Sequence, residues 1–172
     1  LDGWRKHEPP TIKKLPVEVD IPEYLADEGR LPNAPPLIAA VGDLVLIAFY
    51  FLLRVGEYTV KAGRRREKKT QQFRVKDVTF FKYNKRGQLR QVPRNASAQI
   101  LLSADSATLK LDNQKNGWKG VCINHEANGD AYLCPVRALA RRIIHIKQHT
   151  ADDSVFLSAY FINNTRYDVT NK

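Results

Sequence analysis

The feature that most constrains the fold is an apolar stretch, Leu37 to Leu53, whose only charged residue is Asp43. Pro36 precedes it and suits the first turn of a helix, where a missing N–H costs nothing. The apolar residues lie all round this predicted helix, which is typical of a helix at the centre of a core. A membrane span is the alternative, but the stretch is short for one and Asp43 interrupts it. We therefore expect a buried helix from about residue 36 to residue 53.

The charge balance favours a polyanionic partner. The 172 residues include 28 Lys and Arg against 18 Asp and Glu, a net charge of +10, and 43% are hydrophobic. One domain with a core is expected at this length. A basic surplus favours nucleic acid, because neutralising phosphates releases counterions, and a solvated basic surface is the alternative. Two cysteines, Cys122 and Cys134, with no secretory signal at the start, indicate a reducing, intracellular environment.

The first 35 residues differ in composition from the remainder. Residues 1–35 are rich in proline and charge, and proline stops any long helix. We expect a linker or arm there, with one short helix between Ile21 and Glu28, and a single partial domain over residues 36–172. The strands predicted from alternation and β-branched content are Phe73 to Lys82, Ala98 to Leu102, Ser106 to Lys115 and Trp118 to His125.

Two of these predicted strands flank an Asn-Gly pair. Asn116-Gly117 is the strongest short hairpin signal, because both residues of a type I′ turn take positive φ. A two-residue turn would place Lys115 directly opposite Trp118 at a rigid tip. Lys119 would then point to the other face of its strand. The sequence therefore predicts an antiparallel hairpin that displays Lys115.

A second amphipathic helix is predicted from Pro135 to about His149. Pro135 suits its first position. The helical period puts Val136, Leu139, Ala140, Ile143 and Ile146 or Lys147 on an inner stripe, and Arg137, Arg141, His145 and Gln148 on the outer face. Cys134, just before the helix, is expected to be a small core residue.

The apolar helix is followed by Leu53-Arg54-Val55-Gly56-Glu57. An arginine at the end of a buried helix is costly unless its guanidinium has an anionic partner. Glu57 can hold it from the protein side, and a phosphate can occupy the rest of the guanidinium. This segment resembles the first active-site box of the tyrosine recombinases, in which an apolar helix precedes Leu-Arg, any residue, Gly and an acidic residue.

Two further segments resemble the same family in the same chain order. Lys115 to Lys119 is similar to the hairpin that carries an active-site lysine, and Leu133 to Leu139 is similar to a helix start that follows this hairpin. The resemblance implies an α+β fold, a mainly helical catalytic domain with a small antiparallel β-sheet. We expect the end of the first helix and the tip of the hairpin to share one concave basic face.

The resemblance also implies a function. The family cleaves and rejoins DNA strands, in recombination or integration, through a 3′-phosphotyrosyl intermediate. By resemblance, Arg54 would stabilise charge on the phosphate oxygens, Lys115 would protonate the leaving oxygen and Glu57 would orient Arg54. The implied partner is double-stranded DNA, with oligomerisation on DNA in the full-length protein and a location in the nucleus or wherever the host DNA lies. No metal or nucleotide cofactor is implied.

A basic run lies shortly after this box. Six of the nine residues from Lys61 to Lys69 are basic. Such a run is usually a solvated loop, and its position just after Arg54 makes a phosphate-contacting loop a fair competitor. The predicted DNA-binding residues are Arg64, Arg65, Arg66, Lys68, Lys69 and Lys119.

The departures from the family pattern define the alternatives. No histidine in the sequence has an arginine three residues later, as the family's second box requires, and the late Tyr160 and Tyr167 lack the context of its nucleophile. The chain is therefore expected to be the N-terminal half of a catalytic domain. A non-catalytic DNA-binding module and a basic RNA-binding domain are the competing classes. A zinc site on Cys122 and His125 is disfavoured, because an offset of three along a strand points side chains to opposite faces.

Overall fold

The computed structural model describes residues 17–60, 72–111 and 120–171, and within them the chain adopts an α+β fold. The structure confirms the prediction of an α+β fold that combines helices with a small antiparallel sheet. The helices are α1 (Asp20–Glu28), α2 (Pro36–Tyr50), α3 (Val55–Tyr58), α4 (Ala98–Leu102) and α5 (Pro135–Lys147). The strands are β1 (Val78–Tyr83), β2 (Leu89–Gln91), β3 (Ser106–Leu111), β4 (Val121–Glu126), β5 (Ala159–Ile162) and β6 (Thr165–Asp168), and a 3-10 turn (Val75–Asp77) precedes β1.

Helix α2 is the central element, as the apolar stretch predicts. Ala40, Leu44, Leu46 and Ile47 are completely buried, and α2 contacts α1, α5 and β5. It ends at Tyr50 rather than at residue 53, because Leu52 takes a left-handed conformation with φ of 53°. Among the described residues, no helix is long and apolar enough to cross a membrane.

Helices α1 and α2 meet at backbone contact. A Cβ atom built on Gly42 would lie 2.6 Å from the carbonyl oxygen of Leu25 and 3.2 Å from the Cα atom of Ala26. Only glycine permits this approach, and the contact buries Ala26 against α2. The short helix predicted within residues 1–35 is therefore present as α1 and packs on the central helix.

The sheet has the strand order β2-β1-β3-β4, with every neighbouring pair antiparallel. Alternate residues of β1 and β3 face the core, including Val78, Phe80, Ala107 and Leu109. Helix α5 contacts both β3 and β4. The pairing of β3 with β4 confirms the strands of the predicted hairpin, and residues 112–119 at its tip lie outside the described residues.

Two strand predictions need correction. Residues 98–102 form helix α4, which Ser97 caps by accepting a hydrogen bond from the N–H of Ile100 at 3.5 Å. The strand predicted from Phe73 begins only at Val78. The residues before it form a turn that the Asp77 carboxylate closes by accepting the N–H of Arg74 at 2.8 Å. In both places a local side-chain hydrogen bond decides the backbone conformation.

Two hairpins were not predicted from the sequence, β1–β2 and β5–β6. In the second hairpin, Ile162 pairs with Thr165, which leaves Asn163 and Asn164 as a two-residue turn with φ of 50° and 61°. Asparagine tolerates this left-handed region better than most residues do. The strands of this hairpin follow a loop in which Val155 and Leu157 are buried.

The close approach at Gly42 gives a matched test of stability. Gly42→Ala should lower the free energy of unfolding by about 1–3 kcal/mol, because the new methyl group forces α1 away from α2. Gly56→Ala should leave it unchanged or raise it by up to about 1 kcal/mol, since its Cβ atom meets no described atom within 4 Å. Urea unfolding midpoints at a constant m-value measure both. Equal midpoints for the two variants would contradict the backbone contact between the helices.

Candidate functional site

The Arg54 side chain projects into solvent, shortly after the end of the central helix α2. After Tyr50 the chain turns, and Arg54 becomes the residue that caps α3, with extended backbone angles of −77° and 147°. Its side chain is exposed. Among the described residues, its guanidinium forms no ion pair. The turn at residues 51–53 therefore presents a charged group without the cost of burying it.

Glu57 contacts Arg54 through the backbone. The Glu57 side chain is 4% exposed, and its Oε2 atom accepts the backbone N–H of Arg54 at 2.8 Å. A carboxylate in the first turn of a helix also interacts favourably with the helix dipole. The Glu57 carbonyl in turn accepts the N–H of Phe73 at 2.9 Å. Glu57 thus fixes where α3 begins, and with it the backbone position of Arg54.

The segment after α3 is anchored on both sides. The Thr59 hydroxyl donates to the carbonyl of Val55 at 2.5 Å, and the buried Gln72 amide donates to the carbonyl of Thr59 at 3.1 Å. The N–H of Val60 donates to the carbonyl of Val169 at 2.8 Å. Arg54 therefore stands on a short helix that is tied to two distant parts of the chain.

A basic and aromatic cluster lies in the neighbouring segments. Phe156 is flanked by two guanidinium groups, with Arg74 at 5.4 Å and Arg166 at 5.8 Å from the ring centre. The N–H of Leu157 donates to the carbonyl of Phe73 at 2.9 Å, which places this cluster beside the Glu57 segment. These arginines were missed by the sequence analysis, because each is isolated in the sequence. Arg166 is partly neutralised by Asp168 at 3.2 Å.

The remaining predicted site residues lie outside the described residues. These are Lys115 and Lys119 of the hairpin and Arg64, Arg65, Arg66, Lys68 and Lys69 of the basic run. Their convergence with Arg54 therefore stays a prediction. The register of the hairpin is established up to Leu111, which pairs with Val121. Uninterrupted pairing from a two-residue turn at residues 116–117 would instead put Leu111 opposite Cys122, so the register of the described strands differs by one residue from that of such a hairpin. The pairing of Lys115 with Trp118 stays a prediction.

Packing accounts for the positions of the late tyrosines and of one of the two cysteines. Tyr160 and Tyr167 face each other across β5 and β6, with ring centres 5.6 Å apart. Cys134 is fully buried, as predicted, and Cys122 is exposed on β4. His125 lies on the opposite face of β4, 4.7 Å from Phe51. Over the described ranges, no group of three His, Cys, Asp or Glu residues is placed to hold a metal ion.

A second cluster of charges lies between α2 and α5. Asp43 accepts a hydrogen bond from Nε of Arg141 at 2.8 Å, so the prediction that Arg141 faces solvent is wrong. The next residue, Arg142, is 3% exposed and donates to the backbone carbonyls of Leu157 and Ala159. Burial lowers the pKa of Arg142 to about 10, so Arg142 remains charged at neutral pH.

His145, one turn further along α5, also departs from its predicted outward position. It is half-buried, and its Nε2 atom is buried without a hydrogen-bond partner among the described residues. Burial, together with the charges of Arg142 and His149, lowers the pKa of His145 to about 4. The imidazole is therefore neutral at pH 7.

Comparisons with known proteins found no relative of this chain. No family model, no curated protein and no solved structure matches this chain. A function is therefore inferred from the fold, from the placement of Arg54 and Glu57, and from the sequence motifs.

The lowered pKa of His145 predicts acid sensitivity. The pKa falls from 6.5 to about 4 on folding, so the unfolded chain takes up this proton first as the pH falls. Neutral His145 therefore makes its full contribution to the free energy of unfolding above pH 6.5, and this contribution is lost progressively as the pH falls toward 4. His145→Gln should therefore lose less free energy of unfolding than the wild type between pH 7 and pH 4.5, measured by urea unfolding. His149→Gln is the control and should keep most of the wild-type loss. Equal losses of free energy in all three proteins would show that His145 is not the group responsible for the acid sensitivity.

Proposed function

We propose that this chain binds double-stranded DNA as part of a tyrosine-recombinase-like catalytic domain, with Arg54 contacting a phosphate. The observation that carries the proposal is the exposed guanidinium of Arg54 on a helix whose start is fixed by the buried Glu57. An arginine that projects into solvent from a rigid element is suited to bidentate phosphate contact. The net charge of +10 supports a polyanionic partner.

The glycine at position 56 supports the proposal, because it leaves space for a ligand to approach Arg54 from solvent. Its position in α3 is exposed, and its backbone does not require glycine. A Cβ atom there would meet no described atom within 4 Å, so packing among the described residues does not explain the glycine either. A missing side chain beside Arg54 leaves room for a ligand's backbone to come close. In the proposal, the sugar-phosphate backbone of DNA occupies this space.

The parent reaction proposed from the resemblance is transesterification of DNA. A tyrosine attacks a phosphodiester, which leaves a 3′-phosphotyrosyl bond and a free 5′-hydroxyl. Arg54 would stabilise the charge that develops on the non-bridging oxygens. Lys115 would protonate the leaving oxygen, and Glu57 would keep Arg54 in place. The basic run with Arg64, Arg65, Arg66, Lys68 and Lys69 would hold neighbouring phosphates.

Removing the Arg54 guanidinium tests the phosphate contact. Arg54→Ala should weaken duplex binding about tenfold, because a hydrogen bond to a charged group is lost. The loss should be similar for unrelated sequences, and the slope of log K against log salt should fall by about 0.9. Fluorescence anisotropy with two unrelated duplexes across a salt series measures both quantities.

Arg86→Ala is the matched control for this measurement. Arg86 is also exposed, and it lies in the turn between β1 and β2. Its loss removes the same formal charge at a position outside the proposed interface. If the two variants weaken binding equally, the effect is one of net charge and Arg54 makes no specific contact. A preference for duplex RNA over duplex DNA would favour the RNA-binding alternative.

A non-catalytic DNA-binding module is the second candidate. Two observations favour it: the sequence contains no His-x-x-Arg, and the rings of Tyr160 and Tyr167 stack on each other in the β5–β6 hairpin. Neither Arg54 nor Lys115 is an attacking group for a 3′-phosphotyrosyl bond. Under both candidates, this chain by itself is expected to bind DNA without cutting it.

A nicked suicide duplex tests this expectation. After incubation with the chain, a denaturing gel should show no covalent protein–DNA product, because loss of an essential nucleophile costs several orders of magnitude in rate. A covalent band that disappears in Tyr160→Phe or Tyr167→Phe would overturn the claim. Either substitution keeps the ring that stacks in the hairpin, so loss of the band would report the hydroxyl and not the fold.

A further inference from the structure

A charged cleft opens between α1, α2 and α5, and it is lined by residues other than those of the proposed DNA interface. Its volume is about 320 Å³, which is within the range of small-molecule sites, roughly 300–1,000 Å³. Small side chains form part of its wall and leave the space open, including Ala26, Gly29 and Ala39. The polar lining consists of Arg30, Asp43, Arg141, Arg142 and His145.

The hydrogen-bonding capacity of Arg30 is unused. Its side chain is 15% exposed, and its Nε, Nη1 and Nη2 atoms are all buried without a hydrogen-bond partner among the described residues. Its nearest described anion is Asp43, at 3.8 Å from Nη2, and its guanidinium lies 5.6 Å from the centre of the Tyr132 ring. A buried charged donor without an acceptor is costly. Arg30 is therefore ready to bind an acceptor that enters the cleft.

The charges that line the cleft do not balance. Three guanidinium groups face the single carboxylate of Asp43, which leaves an excess of two positive charges. Arg141 already pairs with Asp43 at 2.7 Å. Asp27 and Asp130 also attract Arg30, but both are exposed to solvent, which screens them. The first turn of α2 lines the cleft through Pro36 and Ala39, and the amino end of a helix favours anions.

We infer that this cleft binds a small molecule through its phosphate group, either inorganic phosphate or a phosphomonoester. Arg30 supplies a guanidinium whose N–H groups form no hydrogen bond with the described residues, and Arg141 and Arg142 supply the surrounding positive charge. A phosphate group carries about −1.5 to −2 charges at pH 7, which matches the excess of two, whereas a carboxylate carries only one. His145 lines the same cleft with its unpartnered Nε2 atom, and a neutral imidazole can donate to a phosphate oxygen.

Calorimetric titration with inorganic phosphate tests the inference, at pH 7 and constant ionic strength. We expect saturable binding of one phosphate per chain, with weaker binding of acetate. Arg30→Gln should weaken phosphate binding at least about tenfold, because it removes a charge-assisted pair. Arg90→Gln is the control, since Arg90 is exposed on β2, and it should bind phosphate as the wild type does. Glucose 6-phosphate in a parallel titration separates a phosphomonoester site from a site for the free ion.

A second variant leaves every arginine in place. Ala39→Met fills the cleft and should also weaken phosphate binding by at least about tenfold, because the ligand and the new side chain compete for one space. Thermal unfolding of each variant establishes that it is folded, and phosphate should raise the midpoints of the wild type and of Arg90→Gln more than those of Arg30→Gln and Ala39→Met. Undiminished binding in both Arg30→Gln and Ala39→Met would overturn the inference. An effect of phosphate that sodium chloride reproduces at equal ionic strength would overturn it as well.

Discussion

The buried carboxylate of Asp43 determines how helices α2 and α5 pack against each other. It is the only charge on α2, and Arg141 of α5 meets it at 2.7 Å. Burial raises the pKa of Asp43, and the charge of Arg141 opposes that rise. Loss of one partner from such a pair costs about 3–5 kcal/mol, because the other charge is left buried and uncompensated. The requirement to neutralise one side chain of an otherwise apolar helix therefore fixes how α5 is rotated against α2.

The same rotation directs the next residue of α5 into the interior. Arg142 donates to the backbone carbonyls of Leu157 and Ala159, and so connects α5 to the start of β5. A fully buried arginine is tolerated there because its donors meet backbone acceptors. Arg141 and Arg142 thus have different partners, a carboxylate on α2 and carbonyls beside β5. Together they join the central helix to the hairpin against which the Arg54 segment is anchored.

Helices and strands that depend on nearby residues could be predicted from the sequence. Helix α2 follows from its continuous apolar stretch and α5 from its apolar period, and each has a proline at its first position. Strands β3 and β4 follow from alternation on both sides of an Asn-Gly pair. The run at residues 98–102 is too short for its period to decide between strand and helix, and Ser97 was the signal for a helix. The pair Asn163-Asn164 was likewise a turn signal for β5–β6.

Contacts between distant residues could not be predicted in this way. Asp43 and Arg141 are 98 positions apart, and the helical period alone placed Arg141 on the outer face. The exposure of Arg54 depends on the left-handed Leu52, a residue type that rarely adopts that conformation. The sequence therefore identified Arg54 and Glu57 as a pair, but it did not predict that a bond from the Glu57 carboxylate to the Arg54 backbone connects them.

The link between Val60 and Val169 has a consequence for the order in which the protein assembles. Val60 hydrogen-bonds to Val169, and Asn171 hydrogen-bonds back to Val60, so the support of Arg54 is completed by residues near the other end of the described chain. Contacts of such large sequence separation form late, because closing a long loop costs entropy before the contact repays it. During synthesis from the amino end, α1 and α2 leave the ribosome well before their last partners exist. The apolar surface of α2 is therefore exposed for an interval in every round of translation, which makes this helix a site of aggregation risk in the nascent chain.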